Sequence, residues 1–151
     1  MTKRKIPTQL TSDYWIWASR RDKSYPEDTD RCGKWMVMVY ISEVDQVWTV
    51  IRDAVEQNKL GSSAKVATMK PNENASNPDV KVICIYTYDS DDRDDLLRVL
   101  TALREIGILH RAYYKEDNET LSGNYSFNTK RAVSKYWADY GKIELRVPKR
   151  R

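Results

Sequence analysis

Histidine and cysteine, the residues that most often build catalytic and metal sites, are nearly absent from this chain. Its 151 residues include one histidine, His110, and two cysteines, Cys32 and Cys84. The cysteines are far apart in the sequence, and they form neither a CxxC pair nor a cluster with histidine. Cys84 lies within an apolar run, where a free thiol behaves as a small inert hydrophobic group. We therefore expect no metal, no cofactor and a reducing compartment.

Glycine-rich motifs and long apolar runs are missing as well. The chain has five glycines, and it contains no glycine-rich phosphate loop, no HExxH and no GxSxG elbow. No apolar run approaches the roughly 20 residues that span a bilayer, and the N-terminus lacks the apolar core of a signal peptide. These absences predict a soluble, cytoplasmic protein with no membrane partner, and they argue against the catalytic classes that those motifs mark.

Charge is only mildly unbalanced. Lysine and arginine total 26 against 22 acidic residues, which gives a net charge of +4 and a sequence pI near 9.0. This excess permits binding to a polyanion without requiring it. Positive charge predominates most strongly at the two ends. The predicted organisation is therefore a polar, basic lead at 1–12, a single domain at 13–147 and a basic tail at 148–151.

Lysines interrupt several stretches that otherwise read as buried or half-buried strands. A lysine stem can lie against an apolar surface, but its ammonium group needs water or an anion. Several such lysines on one sheet therefore indicate a shared anionic partner, and a phosphate-bearing ligand fits this pattern. The lysines concerned are Lys34, Lys65, Lys81 and Lys115.

Hydrophobic periodicity predicts an α+β fold. The predicted strands are 14–18, 34–40, 63–69, 80–87, 108–114 and 143–147; the predicted helices run from an N-cap at Ser42 to Gly61, from Ser90 to Gly107, and briefly over 131–137. Gly61 is expected in the left-handed position after the first helix. From the second strand onward the order is β-α-β-β-α-β, which predicts a mainly antiparallel sheet with two main helices packed on one face. The other face is left for a ligand or a partner.

Tryptophan and tyrosine dominate the aromatic residues. The chain has five Trp and ten Tyr against one Phe, a bias typical of ligand-facing surfaces. Trp15 and Trp17 alternate along the first strand and so share a face. Bases stack on aromatic rings while lysines bind phosphates, so rings and cations together indicate a nucleotide-binding surface.

Several segments together resemble a known family. GKWMVMVY, VDQVWTVIRDAVEQNKLGSSAKVAT, VICIYTYD and YYKEDNETLSGNYS are similar to segments of the Bles family. That family is linked by name to phosphothreonine lyase domain-like proteins and by fold to the eukaryotic mRNA cap-binding initiation factor. The likeness runs from about Tyr14 to Trp137. It implies a curved antiparallel sheet backed by helices.

The resemblance also implies residue roles. Bacterial effector lyases use a lysine base and, two residues later, a histidine acid; here Lys34 is followed by Met36, so the acid is missing. A residual lyase would need another acid, His110 or Tyr114. The phosphate clamp of these enzymes is matched by a set of residues that would hold phosphate without the elimination chemistry. The set is Lys65, Lys81, Tyr86 and Lys115.

The cap-binding factor offers a second set of expectations. In that fold two tryptophans sandwich a methylated base, and basic residues on a neighbouring hairpin bind the phosphates. Lys65 and Lys70 lie on the comparable hairpin. The rings would come from Trp15, Trp17 and Trp35.

Three functional hypotheses follow. The leading one is non-catalytic binding of a phosphorylated ligand (a nucleotide, an RNA end or a short nucleic acid) on a basic, aromatic-lined concave sheet face. The second is a phosphothreonine-lyase-like enzyme that acts on phosphoprotein with Lys34 as its base. The third is a module that binds another protein through an open sheet edge or its aromatic face.

Overall fold

The fold is seen in a computed structural model that describes residues 4–72, 77–118 and 134–149. A 3₁₀ helix and six strands with two α-helices follow one another along the chain. Their bounds are Pro7–Gln9 for the 3₁₀ helix, then β1 Trp15–Ser19, β2 Gly33–Tyr40, α1 Ile41–Glu56, β3 Ser63–Ala67, β4 Val80–Thr87, α2 Arg93–Glu105, β5 Ala112–Glu116 and β6 Tyr136–Ala138. Neither α-helix in this described part is long and apolar enough to cross a membrane.

The six strands form one curved antiparallel sheet. Their spatial order is β1-β3-β4-β2-β5-β6, and every neighbouring pair is antiparallel. The run from β2 to β5 has the β-α-β-β-α-β order that the sequence predicts, and the predicted α+β class is confirmed. β2 lies in the interior of the sheet, between β4 and β5.

The two faces of the sheet have different environments. Along β2, alternate residues are buried: Trp35, Val37 and Val39 have no exposed surface, whereas Met38 and Tyr40 are exposed. Trp35 Nε1 donates to the Leu96 carbonyl of α2 at 3.1 Å, so α2 lies on the buried side. Helix α1 contributes its own apolar stripe to the same core. We call the opposite side, which no described helix covers, the free face.

Helix α1 starts and ends at other residues than the sequence predicts. It begins at Ile41, one residue before the predicted cap, and Ser42 is exposed within the first turn. It ends at Glu56, and the residue with positive φ beyond it is Asn58 at 65°, not Gly61. The left-handed role predicted for Gly61 is therefore wrong. Asn tolerates this conformation better than other side-chain-bearing residues, which explains the earlier end.

Helix α2 also starts later than predicted. It begins at Arg93, and the carboxylate of Asp92 caps it by accepting the Asp95 backbone N–H at 3.0 Å. The predicted start, Ser90, is fully buried, and its hydroxyl accepts a hydrogen bond from Lys135 Nζ at 3.0 Å. Asp94 and Asp95 in the first turn also interact favourably with the helix dipole.

Strand β5 begins four residues after the predicted start at 108. Arg104 of α2 is buried, and Nη1 donates to the carbonyls of Ile108 and His110 at 2.9 and 2.7 Å. These carbonyls are satisfied by the arginine rather than by a neighbouring strand, so the segment forms a turn. Burial lowers the pKa of the Arg104 guanidinium, which remains charged at neutral pH, as arginine does in proteins.

The C-terminal part differs from the prediction as well. Residues 131–133 of the predicted short helix lie outside the described residues, and 136–138 form strand β6 instead. The predicted strand at 143–147 is reduced to one bridge, in which Trp137 and Arg146 exchange backbone hydrogen bonds of 2.8 and 2.9 Å.

The predicted N-terminal lead packs on the domain from Arg4 onward. Arg4 forms a two-pronged ion pair with Glu56 of α1 at 2.7 and 2.8 Å. The backbone N–H of Thr8 donates to Asp45 of α1 at 3.0 Å. The folded unit in this structure therefore includes part of the segment that the sequence assigns to a lead.

An ion pair with a buried carboxylate ties the loop before β2 to the loop after β4. Arg31 binds Asp89 through two hydrogen bonds of 2.9 and 2.7 Å, and Asp89 also accepts the Asp91 backbone N–H at 2.8 Å. The Arg31 hydrogen bond lowers the pKa of the Asp89 carboxyl to about 2. Because the folded-state pKa is depressed, this carboxylate stabilises the fold above its ordinary pKa, and the contribution is lost as pH falls toward 2.

We expect Asp89→Asn to lower Tm at pH 7 by roughly 2–4 °C, the equivalent of about 1 kcal/mol in a protein of this size. The difference from wild type should shrink steadily between about pH 4 and pH 2, because the wild-type carboxylate becomes protonated there. Thermal unfolding followed by circular dichroism at several pH values measures it. Glu27→Gln, at an exposed position, is the control. A wild-type advantage that persists unchanged at pH 2 would contradict the assignment.

Candidate ligand-binding face of the sheet

The strand register brings three of the four strand lysines to the free face. Lys34 of β2 lies opposite Tyr86 of β4 and, on its other side, opposite Lys115 of β5. Lys65 of β3 lies opposite Cys84 of β4. Residues paired across antiparallel strands project to the same face, so these side chains share the face that neither described α-helix covers.

Three aromatic rings surround the ammonium group of Lys65. We call Trp15, Trp17 and Tyr86 the ring cluster. Lys65 Nζ lies 3.8 Å from the centroid of Trp15, 5.3 Å from that of Trp17 and 5.8 Å from that of Tyr86. Trp17 also stacks on Tyr86, with centroids 5.7 Å apart and planes inclined by 23°. Each distance to Lys65 lies within the range of a cation–π contact.

Lys34 on β2 and Lys65 on β3 flank Tyr86 of β4 on opposite sides, and Lys34 also forms an ion pair. Its Nζ is 5.8 Å from the Tyr86 centroid and 2.7 Å from Oδ1 of Asp117. The Lys34 side chain is 12% exposed and that of Asp117 28% exposed. A phosphate that binds Lys34 therefore competes with, or displaces, a carboxylate that is already present.

Asp117 is a residue of this site that the sequence reasoning missed. It follows β5 directly, and its backbone N–H donates to the Cys32 carbonyl at 3.0 Å, which continues the pairing of β5 with β2. Its spacing from Lys115 could have indicated it, because side chains two residues apart in an extended chain project to the same face.

Burial and neighbouring charge alter the acidity of the site residues. Burial lowers the pKa of Lys65, and the nearby positive charge of Lys34 lowers it further. Burial raises the pKa of the Tyr86 phenol, so the hydroxyl stays protonated and remains a hydrogen-bond donor at neutral pH. Burial also raises the pKa of the Cys84 thiol to about 11 and that of Cys32 above its ordinary value. Neither thiol is activated as a nucleophile.

Lys115 has a less exposed position than the other two lysines. It is 6% exposed, and its register partner on β2 is Lys34. In the described part of the chain, His, Cys, Asp and Glu side chains form no group of three that could hold a metal ion. The polar side chains of the free face include ammonium, phenol and carboxylate groups.

Two of the predicted phosphate-binding lysines lie elsewhere. Lys81 is opposite Val39, whose buried side chain faces the helices, so the assignment of Lys81 to the free face is wrong. Lys70 lies beyond the end of β3; its Nζ donates to the Ser12 carbonyl at 3.3 Å and lies 4.3 Å from the Tyr14 centroid. Tyr14 and Lys70 form a separate contact at the β1 end of the sheet.

The predicted base-stacking rings separate into two groups. Trp17 is 55% exposed, and Trp15 is partly exposed, both on the free face. Trp35 has no exposed surface and packs edge-on against Tyr114 in the core, with centroids 5.3 Å apart. The assignment of Trp35 as a stacking ring is wrong, because neither side of its indole is accessible to a base.

The two substitute acids proposed for a lyase do not share the face of the sheet on which Lys34 lies. Tyr114 is fully buried on the helix side of the sheet, where its hydroxyl hydrogen-bonds to Thr87 at 2.6 Å. His110 precedes β5, and its Nε2 lies 3.0 Å from Oε1 of Glu43 on α1. Both lie on the side of the sheet opposite Lys34, so the structure contradicts their placement as acids beside this lysine.

Solved structures of eIF4E-3 from two nematodes are similar to this chain. The C. elegans eIF4E-3 complex with the 4E-binding protein Mextli and cap analog shows 18% identity and a TM-score of 0.51, and the match covers 72% of this chain and 65% of that chain. Ascaris suum eIF4E-3 with m2,2,7G cap shows 17% identity and a TM-score of 0.44, over 57% of this chain and 51% of that one. The chain therefore spans about half to two thirds of the length of these proteins. At this identity, the C. elegans structure supports a common fold and nothing finer.

The sequence itself matches a family over a long segment. Residues 27–121 match the family described as "Basophilic leukemia-expressed protein Bles03". The matched segment contains β2, α1, β3, β4, α2 and β5, and with them Lys34, Lys65 and Tyr86 of the free face. It covers more than half of the chain, and the C. elegans structure agrees with the fold that the Bles resemblance implies. The chain therefore belongs to the family of the basophilic leukemia-expressed protein Bles03, with a fold like that of the cap-binding initiation factor.

Proposed function

We propose that the free face binds a phosphorylated ligand, most simply a nucleotide or the end of an RNA, without transforming it. One observation carries the proposal: the ammonium groups of Lys34 and Lys65 each lie 5.8 Å from the same Tyr86 ring, on a face that no described helix covers. Two cations that approach the same ring on a partly exposed surface attract an anion more strongly than either would alone.

The groups around this point have complementary roles toward a nucleotide. Lys34 and Lys65 would form charge-assisted hydrogen bonds with phosphate oxygens. The protonated Tyr86 hydroxyl would donate a further hydrogen bond. Trp17 has one side against Tyr86 and is more than half exposed, so its outer side could stack a base for about 1–3 kcal/mol.

Binding is favoured over phosphothreonine elimination by the surroundings of Lys34. The described side chain that contacts its ammonium group most closely is the carboxylate of Asp117, an acceptor rather than an acid. Protonation of the leaving group by a positioned acid typically contributes 10²- to 10⁴-fold to such a reaction. Incubation of a phosphothreonine peptide with a catalytic, substoichiometric amount of the protein should therefore release no phosphate.

Titration of the full chain with AMP, ATP and a 5′-phosphorylated oligoribonucleotide tests the proposal. Quenching of tryptophan fluorescence reports binding, because two tryptophans lie in the ring cluster. We expect affinity to increase with the number of phosphates and to decrease when the salt concentration is raised severalfold, since screening weakens attraction between partly exposed charges. Affinity that is independent of both phosphate number and salt would overturn the proposal.

A further inference from the structure

We propose that Lys65 acts as an internal cation that makes the ring cluster select ligands with a neutral base over ligands with a positively charged, methylated base. The inference rests on the proposed function, because it concerns which phosphorylated ligand the free face binds. It makes Lys65 a specificity-determining residue as well as a phosphate-binding one.

The first argument is that the rings already hold a cation. Aromatic faces attract one positive charge through their negative quadrupole, and the contact is strongest when the cation lies directly over the ring. Lys65 Nζ is 3.8 Å from the Trp15 centroid and within 6 Å of both other centroids. A positively charged base would have to share these rings with an ammonium group that is covalently tethered to the sheet.

The second argument is the sign of the surrounding charge. A cationic base at Trp17 would lie close to Lys65 and near Lys34, whose Nζ approaches the same Tyr86 ring. Asp117 is the described carboxylate whose charge acts on Lys65, and Lys34 already binds it at 2.7 Å. A second positive charge thus meets net repulsion, whereas a neutral base meets only the open side of Trp17.

The third argument is that the cluster provides stacking on one side. Trp17 is stacked on Tyr86, and Trp15 faces Lys65, so neither tryptophan in this structure presents a ring with both sides empty. Stacking on one side is tolerant of base identity, because every base has a π face. Phosphate number and the charge of the base, rather than the base edge, should therefore determine affinity.

Guanosine triphosphate and 7-methylguanosine triphosphate provide a matched pair of probes. Methylation at N7 adds a positive charge to guanine and leaves the triphosphate in place. We expect the full-length wild-type chain to bind GTP about 3- to 30-fold more tightly, a range that corresponds to the strength of a single cation–π interaction. Isothermal titration calorimetry at low salt measures both affinities.

The Lys65→Met variant removes the charge and keeps a long, flexible side chain. It should lower the affinity for both nucleotides, because one phosphate-binding ammonium group is removed. The preference for GTP should disappear or reverse, since the rings become available to a cationic base. Lys65→Arg should keep the preference. Lys23→Met, at an exposed loop position, is the control for removal of a surface charge. Circular dichroism verifies folding, and Lys65→Gln replaces the methionine variant if that one fails to fold.

The outcomes separate this inference from the proposed function. If wild type binds neither nucleotide, both are overturned. If it binds both but prefers the 7-methyl form, or shows no preference, the proposed function stands and this inference is wrong. If wild type prefers GTP and Lys65→Met retains the full preference, Lys65 is not its source and the inference is likewise overturned.

Discussion

Replacing Lys34 and Lys65 together with alanine is expected to lower the affinity for ATP by about 10²- to 10⁴-fold. A hydrogen bond to a charged group contributes roughly 1.5–3 kcal/mol, which is about 10- to 100-fold for each lysine. The loss at Lys34 is compounded because its removal leaves Asp117 unpaired on the same face, where its carboxylate would repel phosphate. Calorimetry on wild type, both single variants and the double variant measures the effect.

Lys81→Ala is the matched control for this experiment. It removes the same charge from a neighbouring strand, but on the helix side of the sheet, so ATP affinity should stay within about twofold of wild type. Asp117→Asn should have the opposite effect and raise the affinity for ATP, because Lys34 no longer pairs with the Asp117 carboxylate. Equal losses for Lys81→Ala and the double variant would show that binding depends on overall charge and not on the free face.

Gly61→Ala is expected to lower the free energy of unfolding by about 3–5 kcal/mol, near the upper end for a single substitution. A Cβ at this position would lie 1.8 Å from the Tyr86 carbonyl oxygen and 2.9 Å from its carbonyl carbon. Both are backbone atoms of β4, so no side-chain rotation relieves the overlap and the two segments must separate. Urea unfolding followed by circular dichroism measures the loss.

Gly141→Ala separates overlap from backbone strain. Gly141 has a φ of 68°, and a Cβ there would meet no atom within 4 Å. Its replacement should cost only the roughly 1–2 kcal/mol of a left-handed residue with a side chain. If the two variants lose similar stability, close approach to β4 is not the reason for glycine at 61. Gly61→Ala should also weaken ATP binding, because displacement of β3 from β4 moves Lys65 away from Tyr86.

The order of elements from β1 to β5 was predictable because it depends on local patterns. Val80–Thr87 has the bounds that the sequence predicts, and the apolar periodicity of α1 matches its buried face. Such patterns report which residues are buried within one helix or strand. They do not report contacts that end an element, such as the Arg104 hydrogen bonds to the carbonyls of Ile108 and His110, which replace the predicted start of β5 by a turn.

The sequence predicted only part of the set of residues that shares the candidate binding face. Lys34, Lys65 and Lys115 do share one face, as the strand lysines suggested, and Trp15 and Trp17 lie on that face too. Lys81 and Trp35 were wrongly included, although the alternation of side chains along a strand argues against both. Lys81 is an odd number of residues from Tyr86, and Trp35 is adjacent to Lys34. Residues so spaced on one strand project to opposite faces.

By itself, the sequence determined the number and spacing of cations and rings, the alternation within each strand, the family and the order of helices and strands from β1 to β5, because all of these are properties of neighbouring residues. Only the tertiary structure decided which side of each strand the helices cover and which lysines meet around Tyr86. Alternation divides the residues of each strand into two sets but does not say which set faces the helices. The antiparallel register fixes this for all strands of the sheet together. For that reason Lys65 lies among three rings, Lys34 pairs with Asp117, and Lys81 is on the other side.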